Sequence, residues 1–307
     1  MDSLHHYLKI HALGEGGGPE AWTVAMGRFL ELFERYGIKA TFYCVAEDLE
    51  RTPESVEWLK RAIMAGHEIG NHSWRHPYAL TRLSEEEQRL EVREGKERLE
   101  GRLSCEVLGF RAPGYHTSAV LSHMIQKSGH RYESSAFPCA PYYLAKAMVM
   151  GLMRLRGRRS ESILGSPRLL CAPRQPYIPH TEQPYRRDKT GEVKGFIHAP
   201  ISVWCGLPLI GTAFSFLGPR LSYWVTRSAS RRAVRKAEYL TLEFHAVDLL
   251  SLYEDELDPR LAVQPDLRLG LAQKQRSFEA ALKGCQGLSC VRLIDHANAI
   301  IQGDLTR

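Results

Sequence analysis

The sequence GHEIGNHSWRH, residues 66–76, places two histidines directly after a segment that predicts a short strand. The residues just before it, 53–66, predict a helix with proline at its start and glycine at its end. His72 and His76 are four residues apart, so on a helical turn both rings would project from the same side and could bind one divalent metal. The spacing leaves open a surface pair, or a buried pair that is bonded to other groups.

Around this stretch the chain alternates between helix and strand with short links. Apolar residues at helical spacing predict helices over residues 20–37, 84–103 and 117–129. Segments rich in β-branched and aromatic residues predict strands over residues 38–47, 105–114 and 130–137. Ser84 and Glu87 predict a capping box at the start of the second helix. This alternation is typical of parallel βαβ units and predicts the α/β class.

The alternation breaks after residue 138, where an insertion rich in proline, glycine and basic residues extends to about residue 195. The insertion contains one apolar helix, YYLAKAMVMGLMRL, and helix and strand signals then resume. Further strands are predicted over residues 195–204 and 239–250, further helices over residues 212–238 and 266–284, and a last strand–helix pair closes the chain.

About seven strand–helix units predict a single domain over residues 1–307 that is a complete or distorted (β/α) barrel of about seven parallel strands. In such barrels the reactive groups gather at the C-terminal ends of the strands. The reactive-looking residues follow predicted strands as this rule requires: His72, His76, Arg111 and His245.

The composition is that of an ordinary soluble globular protein, with 44% apolar and 25% charged residues. A formal charge of +6 is too small to indicate nucleic acid. Seven cysteines are scattered without a CxxC pair, which favours reduced thiols and a cytoplasmic location. The sequence shows no signal segment and no apolar run of the roughly 18 residues that a membrane span needs.

Five segments, in this order along the chain, resemble motifs of the polysaccharide deacetylase family, the fourth carbohydrate esterase family. HEIGNHSWRH is similar to its H-[ST]-x-x-H metal motif. The others are ATFYCVAEDLE, GFRAPGY, YESSAFP and LTLEFHAVDLL, so that the resemblance extends roughly from residue 2 to residue 250. It implies a barrel fold and a metal-dependent hydrolase that removes N-acyl groups from sugars.

The resemblance also implies a metal site. Asp2 stands where the Asp-x-Asp subgroup has its metal-binding aspartate, so that Asp2, His72 and His76 would hold a divalent ion. One carboxylate with two imidazoles suits zinc, cobalt and nickel about equally, and zinc is the frequent metal of the family. The first strand and the general-base aspartate of the family would precede Asp2. Either the start codon is assigned too late, which we favour, or the chain lacks both.

The remaining site residues follow from the same motifs. His245 would be the general acid, and Asp248 would orient its ring and raise its pKa. Arg111 would orient the base, with Glu133 standing where the family commonly has an aspartate partner for the arginine. The oxyanion would be bound at the motif that contains Pro113, Gly114 and Tyr115. Tyr115 is the family's backbone donor, and the extra Gly114 is the alternative.

The expected substrate is an N-acetylated saccharide, or a lipid-linked sugar. In the segment MVMGLMRLRGRR, residues 148–159, an apolar run leads into arginines. This pattern fits a peripheral contact with an anionic membrane, and equally a buried lid helix. Deformylation or hydrolysis of another amide would use the same groups. A glycan-binding pseudoenzyme without turnover is the alternative from another class.

Overall fold

A computed structural model describes residues 1–155, 157, 162–191 and 193–302 of the chain. The chain divides into two compact units. The first unit consists of Met1–Ile38, Cys139–Glu161 and Ser202–Cys290, and the second of Lys39–Pro138, Ser162–Ile201 and Val291–Arg307. A single domain over residues 1–307 stays a prediction.

The described helices are numbered along the chain. They are α1 (Leu4–Ile10), α2 (Met26–Tyr36), α3 (Asp48–Arg51), α4 (Glu54–Met64), α5 (Glu85–Leu103), α6 (Ala119–Lys127), α7 (Ala140–Leu155), α8 (Gly211–Lys236), α9 (Leu271–Gly284) and α10 (Leu293–Gln302). The described strands are β1 (Thr41–Cys44), β2 (Glu68–Asn71), β3 (Gly109–Phe110), β4 (Tyr132–Glu133), β5 (Ile197–His198), β6 (Val203–Trp204) and β7 (Leu207–Pro208).

The second unit is built on one sheet in which β1 to β5 lie side by side in chain order, and every pairing is parallel. The longest pairing joins β1 to β2, where Phe42 lies opposite Ile69 and Cys44 opposite Asn71. The predicted α/β class with a parallel sheet is therefore confirmed. The described part of this sheet has five strands, and closure into a barrel of seven stays a prediction.

Apolar side chains cover both faces of this sheet, as expected for parallel strands joined by helices. On one face, side chains of β3, α5 and α6 form a buried cluster with four residues of the connecting segments. Its members are Phe110, Val92, Leu121 and Ile125, together with Leu80, Ala112, Val193 and Phe196. On the other, α10 packs on side chains of β1, β4 and β5: Tyr43, Tyr132, Ile197, Ile294 and Ala297. The predicted capping box of α5 is confirmed, with the Glu87 N–H donating to Ser84 Oγ at 3.3 Å and the Ser84 N–H to Glu87 Oε2 at 2.9 Å.

The first unit is mainly helical. The long helix α8, which bends at Gly218 and Pro219, packs against α9, and β6 and β7 form a short antiparallel hairpin before it. Aromatic rings join its distant segments, with Phe29 and Phe244 both in contact with Phe278. The buried core of this unit centres on Leu209, Phe214, Ala229 and Ala281.

The predicted strand over residues 239–250 was wrong. Its backbone is extended, but its regular pairing is a single isolated bridge between Glu243 and Ile210, and a 3₁₀ turn follows at Ala246–Leu249. The neighbouring segment, residues 202–211, is already paired within the β6–β7 hairpin, so that only its two ends bond to residues 241 and 243. The C-terminal helix is confirmed as α10, whereas the described residues 285–292 contain no strand.

Two further properties bear on the expected environment. Among the described residues, no helix combines the length and the apolarity that crossing a bilayer requires. All seven cysteines are free thiols, three of them buried.

The buried ring of His130, between α6 and β4, makes the stability of the second unit pH-dependent. Its Nδ1 lies 3.1 Å from the carbonyl oxygen of Ile125 and therefore donates, and its Nε2 lies 3.3 Å from the Nδ2 amide of Asn71 and therefore accepts. Burial, together with the charge of Lys96, lowers the pKa of His130 to about 3 from an ordinary value of 6.5. The neutral ring thus stabilises the fold above pH 6.5, and this contribution is lost as the pH falls toward 3.

We predict that the free energy of unfolding falls by about 2 kcal/mol between pH 7 and pH 5 because of this one group. His130→Gln keeps a donor and an acceptor but cannot titrate, so that its urea unfolding should lose correspondingly less over the same pH range. Equal losses in the wild-type protein and the variant would contradict the assignment.

Candidate functional site

The predicted histidine pair lies in the loop that follows β2 and not on a helical turn, so that part of the prediction was wrong. Two residues of this loop, Ser73 and His76, have left-handed backbone conformations with φ of 70° and 57°. The loop still brings the two rings together, with centroids 4.8 Å apart and an angle of 63° between the ring planes. Both imidazoles are buried, His72 at 7% and His76 at 3% exposure.

Side chains of the loop itself hold this conformation. Asn71 Oδ1 accepts from the N–H of Ser73 at 2.9 Å, and Ser73 Oγ accepts from the N–H of His76 at 3.0 Å. Asn71 also donates through Nδ2 to the carbonyl oxygen of Val92 in α5 at 2.8 Å. The serine between the two histidines therefore has a structural task, which is to fix the turn that returns the second ring to the first.

The carbonyl oxygen of Arg111 decides how His72 can act. It lies 2.6 Å from Nδ1 of His72, so that Nδ1 carries the proton and Nε2 holds the lone pair. A metal-binding histidine is usually oriented by such a bond on its other nitrogen. Two buried rings, one of them held by a main-chain acceptor, fit a divalent metal in the second unit.

Arg111 follows β3, and its side chain points to β4. Its Nε donates to the carbonyl oxygen of Ser134 at 2.8 Å and its Nη2 to Ser134 Oγ at 2.9 Å, while the guanidinium lies 4.4 Å above the ring of Tyr43. Glu133 contacts other groups, since its Oε2 is 3.0 Å from Nε2 of His198 and accepts from Thr117 Oγ1 at 3.1 Å. The expected pairing of Glu133 with Arg111 is therefore replaced by a pairing with Ser134.

The motif after Arg111 forms a tight turn at Pro113–Tyr115, in which Gly114 and Tyr115 both have positive φ, 68° and 66°. The N–H of Tyr115 donates to the carbonyl oxygen of Ala112 at 3.2 Å, so that it is engaged within the turn. Pro113 has no N–H to offer. The oxyanion roles of Pro113, Gly114 and Tyr115 all stay predictions.

His245 lies in the first unit, immediately before the 3₁₀ turn Ala246–Leu249. Its ring is 28% exposed, and its Nε2 is 3.1 Å from Oε1 of Glu243, which is buried. Asp248, the predicted partner of the ring, instead accepts from the main-chain N–H of His245 at 2.7 Å and from Thr212 Oγ1 at 3.2 Å. Glu243 thus contacts the ring, and Asp248 caps the turn.

The charges around His245 favour its protonated form. Burial alone would lower the pKa of His245, but the carboxylates of Glu243, Asp248 and Asp2 outweigh it and raise that pKa above the ordinary value. Burial raises the pKa of Asp248 to about 6, although the neighbouring His245 opposes this shift. A protonated imidazole beside a buried carboxylate can deliver a proton to a leaving amine.

Asp2 also lies in the first unit and is 5% exposed. The segment that carries it is fixed one residue later, where Trp22 Nε1 donates to Ser3 Oγ at 2.9 Å. The effect of Asp2 on the pKa of His245 places its carboxylate within electrostatic reach of that ring. The predicted site residues therefore form two groups, and the joining of Asp2 to the histidine pair stays a prediction.

Sequence reasoning missed two residues of the first unit. Glu243 stands two positions before His245 in extended backbone, which puts both side chains on one face, and this spacing was the available signal. Lys274 gave no signal in the sequence. Its buried Nζ donates to the carbonyl oxygens of Val247 at 2.6 Å, Leu250 at 2.8 Å and Asp266 at 3.1 Å, and so anchors the turn after His245.

The histidine loop packs closely against Gly95 of α5. A Cβ at this position would come within 2.9 Å of the carbonyl carbon of Ser73 and would also meet Oδ1 of Asn71. Gly101 lies in the same helix with nothing within 4 Å of such a Cβ.

We predict that Gly95→Ala displaces the histidine loop and lowers the stability of the protein by about 1–3 kcal/mol. Gly101→Ala is the matched control and should raise stability by about 0.5–1 kcal/mol, because alanine restricts the unfolded chain and favours helix. Chemical denaturation and zinc titration of both variants check this. Equal zinc affinity and equal stability in the two variants would show that the close approach is unimportant.

The chain was compared with known families and solved structures. Residues 18–132 match the family model for polysaccharide deacetylase, a range that contains His72, His76, Arg111 and Tyr115 and that ends before His245. The peptidoglycan deacetylase of Helicobacter pylori is 30% identical over 128 residues, which are 40% of this chain and 42% of that protein. The aligned region thus covers less than half of that relative's length.

Two solved structures share the fold over most of the chain. A candidate polysaccharide deacetylase from Mycobacterium smegmatis has a TM-score of 0.58 at 17% identity, with 93% of this chain and 80% of that chain covered. The Puue allantoinase has a TM-score of 0.55 at 17% identity, with 91% and 72% covered. At these identities the likeness extends to the fold alone.

Proposed function

We propose that the protein, whose residues 18–132 match the family model for polysaccharide deacetylase, is a metal-dependent hydrolase of non-peptide carbon–nitrogen bonds. It removes an N-acyl group, acetyl foremost, from an amino sugar of a saccharide. The observation that carries this proposal is the buried pair of His72 and His76, with Nδ1 of His72 held by the carbonyl oxygen of Arg111. That orientation suits a metal ligand better than a structural histidine.

In this proposal His72, His76 and Asp2 are the protein ligands of the metal, which is zinc, with cobalt or nickel as alternatives. The bound ion would acidify water and polarise the acyl carbonyl group. Arg111 orients the ligand His72 through its main-chain carbonyl oxygen, and hydrogen bonds to Ser134 hold its own side chain in place. Gly114 offers a main-chain N–H to the oxyanion in a turn whose positive φ a glycine tolerates best.

His245 is proposed as the general acid that protonates the leaving amine. Glu243 holds the ring through Nε2 and favours the imidazolium form, whereas Asp248 and Lys274 fix the turn behind it. The task of Asp248 is thus to position the main chain of the acid. Departure of a neutral amine requires this proton, so that the charge around His245 serves the bond-breaking step.

For the architecture, we propose that the parallel sheet belongs to the distorted (β/α) barrel of a single catalytic domain. The substrate is proposed to be an N-acetylated saccharide or a lipid-linked sugar, and the location to be the cytoplasm, with a peripheral contact at the membrane. Seven free thiols, three of them buried, support a reducing compartment. The basic residues at 156 and 158–159, on which the membrane prediction partly rests, lie outside the described residues.

Removal of the metal should abolish the activity. We expect release of acetate from an N-acetylated chitooligosaccharide to fall about a hundredfold or more after dialysis against a chelator, because acidified water and a polarised carbonyl are lost together. Zinc, cobalt or nickel should restore it. Release of formate from an N-formyl sugar with no release of acetate would make the protein a deformylase.

Single substitutions separate the ligands from other histidines. His72→Ala and Asp2→Asn should both lose bound metal, measured by mass spectrometry of the purified protein. His123→Ala, an exposed histidine of α6, is the control and should keep it. Wild-type metal content in His72→Ala would refute the assigned centre, and metal binding without turnover of any acyl sugar would favour a glycan-binding role.

Glu243→Gln should lower kcat by about tenfold or more, because the neutral amide no longer stabilises the imidazolium of His245. KM, metal content and thermal stability should stay near the wild-type values, since the amide preserves the shape of the side chain. Glu238→Gln changes a half-exposed ion pair with Arg232 and serves as the control. If both variants keep full kcat, Glu243 is not the partner of the acid.

A further inference from the structure

Helix α7 turns its apolar side outward. None of its residues is buried, and Leu144, Met148, Val149, Leu152 and Leu155 are between 46% and 85% exposed. Four of these residues are spaced at 144, 148, 152 and 155, which places them in one stripe along a helix. A helix that packs as a lid would bury such a stripe, so that the alternative of a buried lid helix is contradicted by this exposure.

The charges of α7 and of the following helix have one sign. Residues 140–155 contain Lys146 and Arg154 and no acidic residue, and the sequence continues RGRR. Helix α8 contains no acidic residue either, and its exposed side chains combine Phe216, Leu221 and Trp224 with arginines at 220, 231 and 235. The first unit thus exposes apolar and basic groups together on two of its helices.

This combination matches an anionic lipid surface. Aliphatic side chains of an interfacial helix enter the acyl boundary, tryptophan prefers the headgroup level, and basic residues neutralise the lipid phosphates. A protein partner would more often meet a rim that carries both signs of charge. The absence of any carboxylate from α7 and α8 favours the bilayer, since acidic groups there would be repelled by its surface.

We propose that α7, together with the exposed residues of α8, docks the first unit onto the surface of an anionic phospholipid membrane. Tyr142, on the half-buried side of α7, lies within electrostatic reach of Glu243, because partial burial and then the charge of that carboxylate raise the pKa of Tyr142. Docking would bring the first unit, which carries His245, to the membrane surface. The consequence that the substrate is a lipid-linked sugar rests on the proposed function, whereas the docking itself does not.

The test is flotation of the full chain with vesicles of phosphatidylcholine, with and without phosphatidylglycerol. We expect binding to the vesicles that contain phosphatidylglycerol, weaker binding at high salt, and little binding to phosphatidylcholine alone. The variant Leu144→Gln/Met148→Gln/Leu152→Gln should bind about tenfold or more weakly, because its exposed side chains can no longer enter the acyl boundary. These residues are not buried, so circular dichroism should show an unchanged fold.

The control variant Met64→Gln/Val291→Gln removes exposed apolar side chains of the second unit and should bind like the wild-type protein. The proposal is overturned if the wild-type protein does not float, or if the triple variant floats equally well. It is also overturned if the triple variant instead changes the protein from dimer to monomer without any vesicle binding, because the stripe would then contact a second copy.

Acetate release from a water-soluble N-acetylated oligosaccharide separates the two proposals. The triple variant should retain this activity, because none of its three residues belongs to the proposed site. If the wild-type protein releases neither acetate nor formate from N-acyl sugars, whether water-soluble or lipid-linked, the proposed hydrolase is refuted and the docking surface is unaffected.

Discussion

The hydrogen bond between Nδ1 of His72 and the carbonyl oxygen of Arg111 is the interaction on which the candidate site depends most. It joins the ends of two adjacent parallel strands, β2 and β3, and so converts the register of the sheet into the orientation of one imidazole. Because a carbonyl oxygen accepts only, the tautomer of the ring is fixed without a titrating partner. The fold thus fixes the orientation of Nε2, the nitrogen that is proposed to bind the metal.

The loop that follows β2 explains why a serine stands between the two histidines of the H-S-x-x-H pattern. The two rings are the parts of this motif that are proposed to bind the metal, yet the serine after the first histidine accepts a hydrogen bond from the N–H of the second. Asn71 bonds to that serine and to α5, and Gly95 lets α5 approach the loop. The two histidines are four residues apart, but they do not lie on a helix. The rings meet because Ser73 and His76 have positive φ and because the hydroxyl of Ser73 holds the turn.

Much of the second unit could be predicted from the sequence because its signals are local. The strands at 41–44 and 68–71, the helices between them and the capping box of α5 all follow from periodicity and end residues. The partners of Arg111 and His245 could not be predicted, since each depends on which carboxylate or hydroxyl the tertiary fold brings near. Ser134 rather than Glu133 contacts Arg111, and no linear pattern encodes this choice. Glu243 rather than Asp248 contacts the ring of His245, and its spacing of two residues was the available signal. The strand predicted at residues 239–250 is absent because its neighbouring segment pairs within the β6–β7 hairpin. This pairing also depends on the tertiary fold and not on the local sequence.

Several buried charged groups of the first unit lie around His245 and the turn that follows it. Glu243, Asp248 and Asp266 are all buried. Burial raises the pKa of Asp248 to about 6 and also raises that of Asp266, so that ionising these two aspartates destabilises the fold near neutral pH. Lys274, which is 1% exposed, offsets part of this cost through three carbonyl groups and the nearby Asp266. A purely structural turn would be more stable with apolar residues at these positions. The carboxylates of Glu243 and Asp248 raise the pKa of the partly exposed His245 ring, and a protonated ring is what the proposed general acid requires.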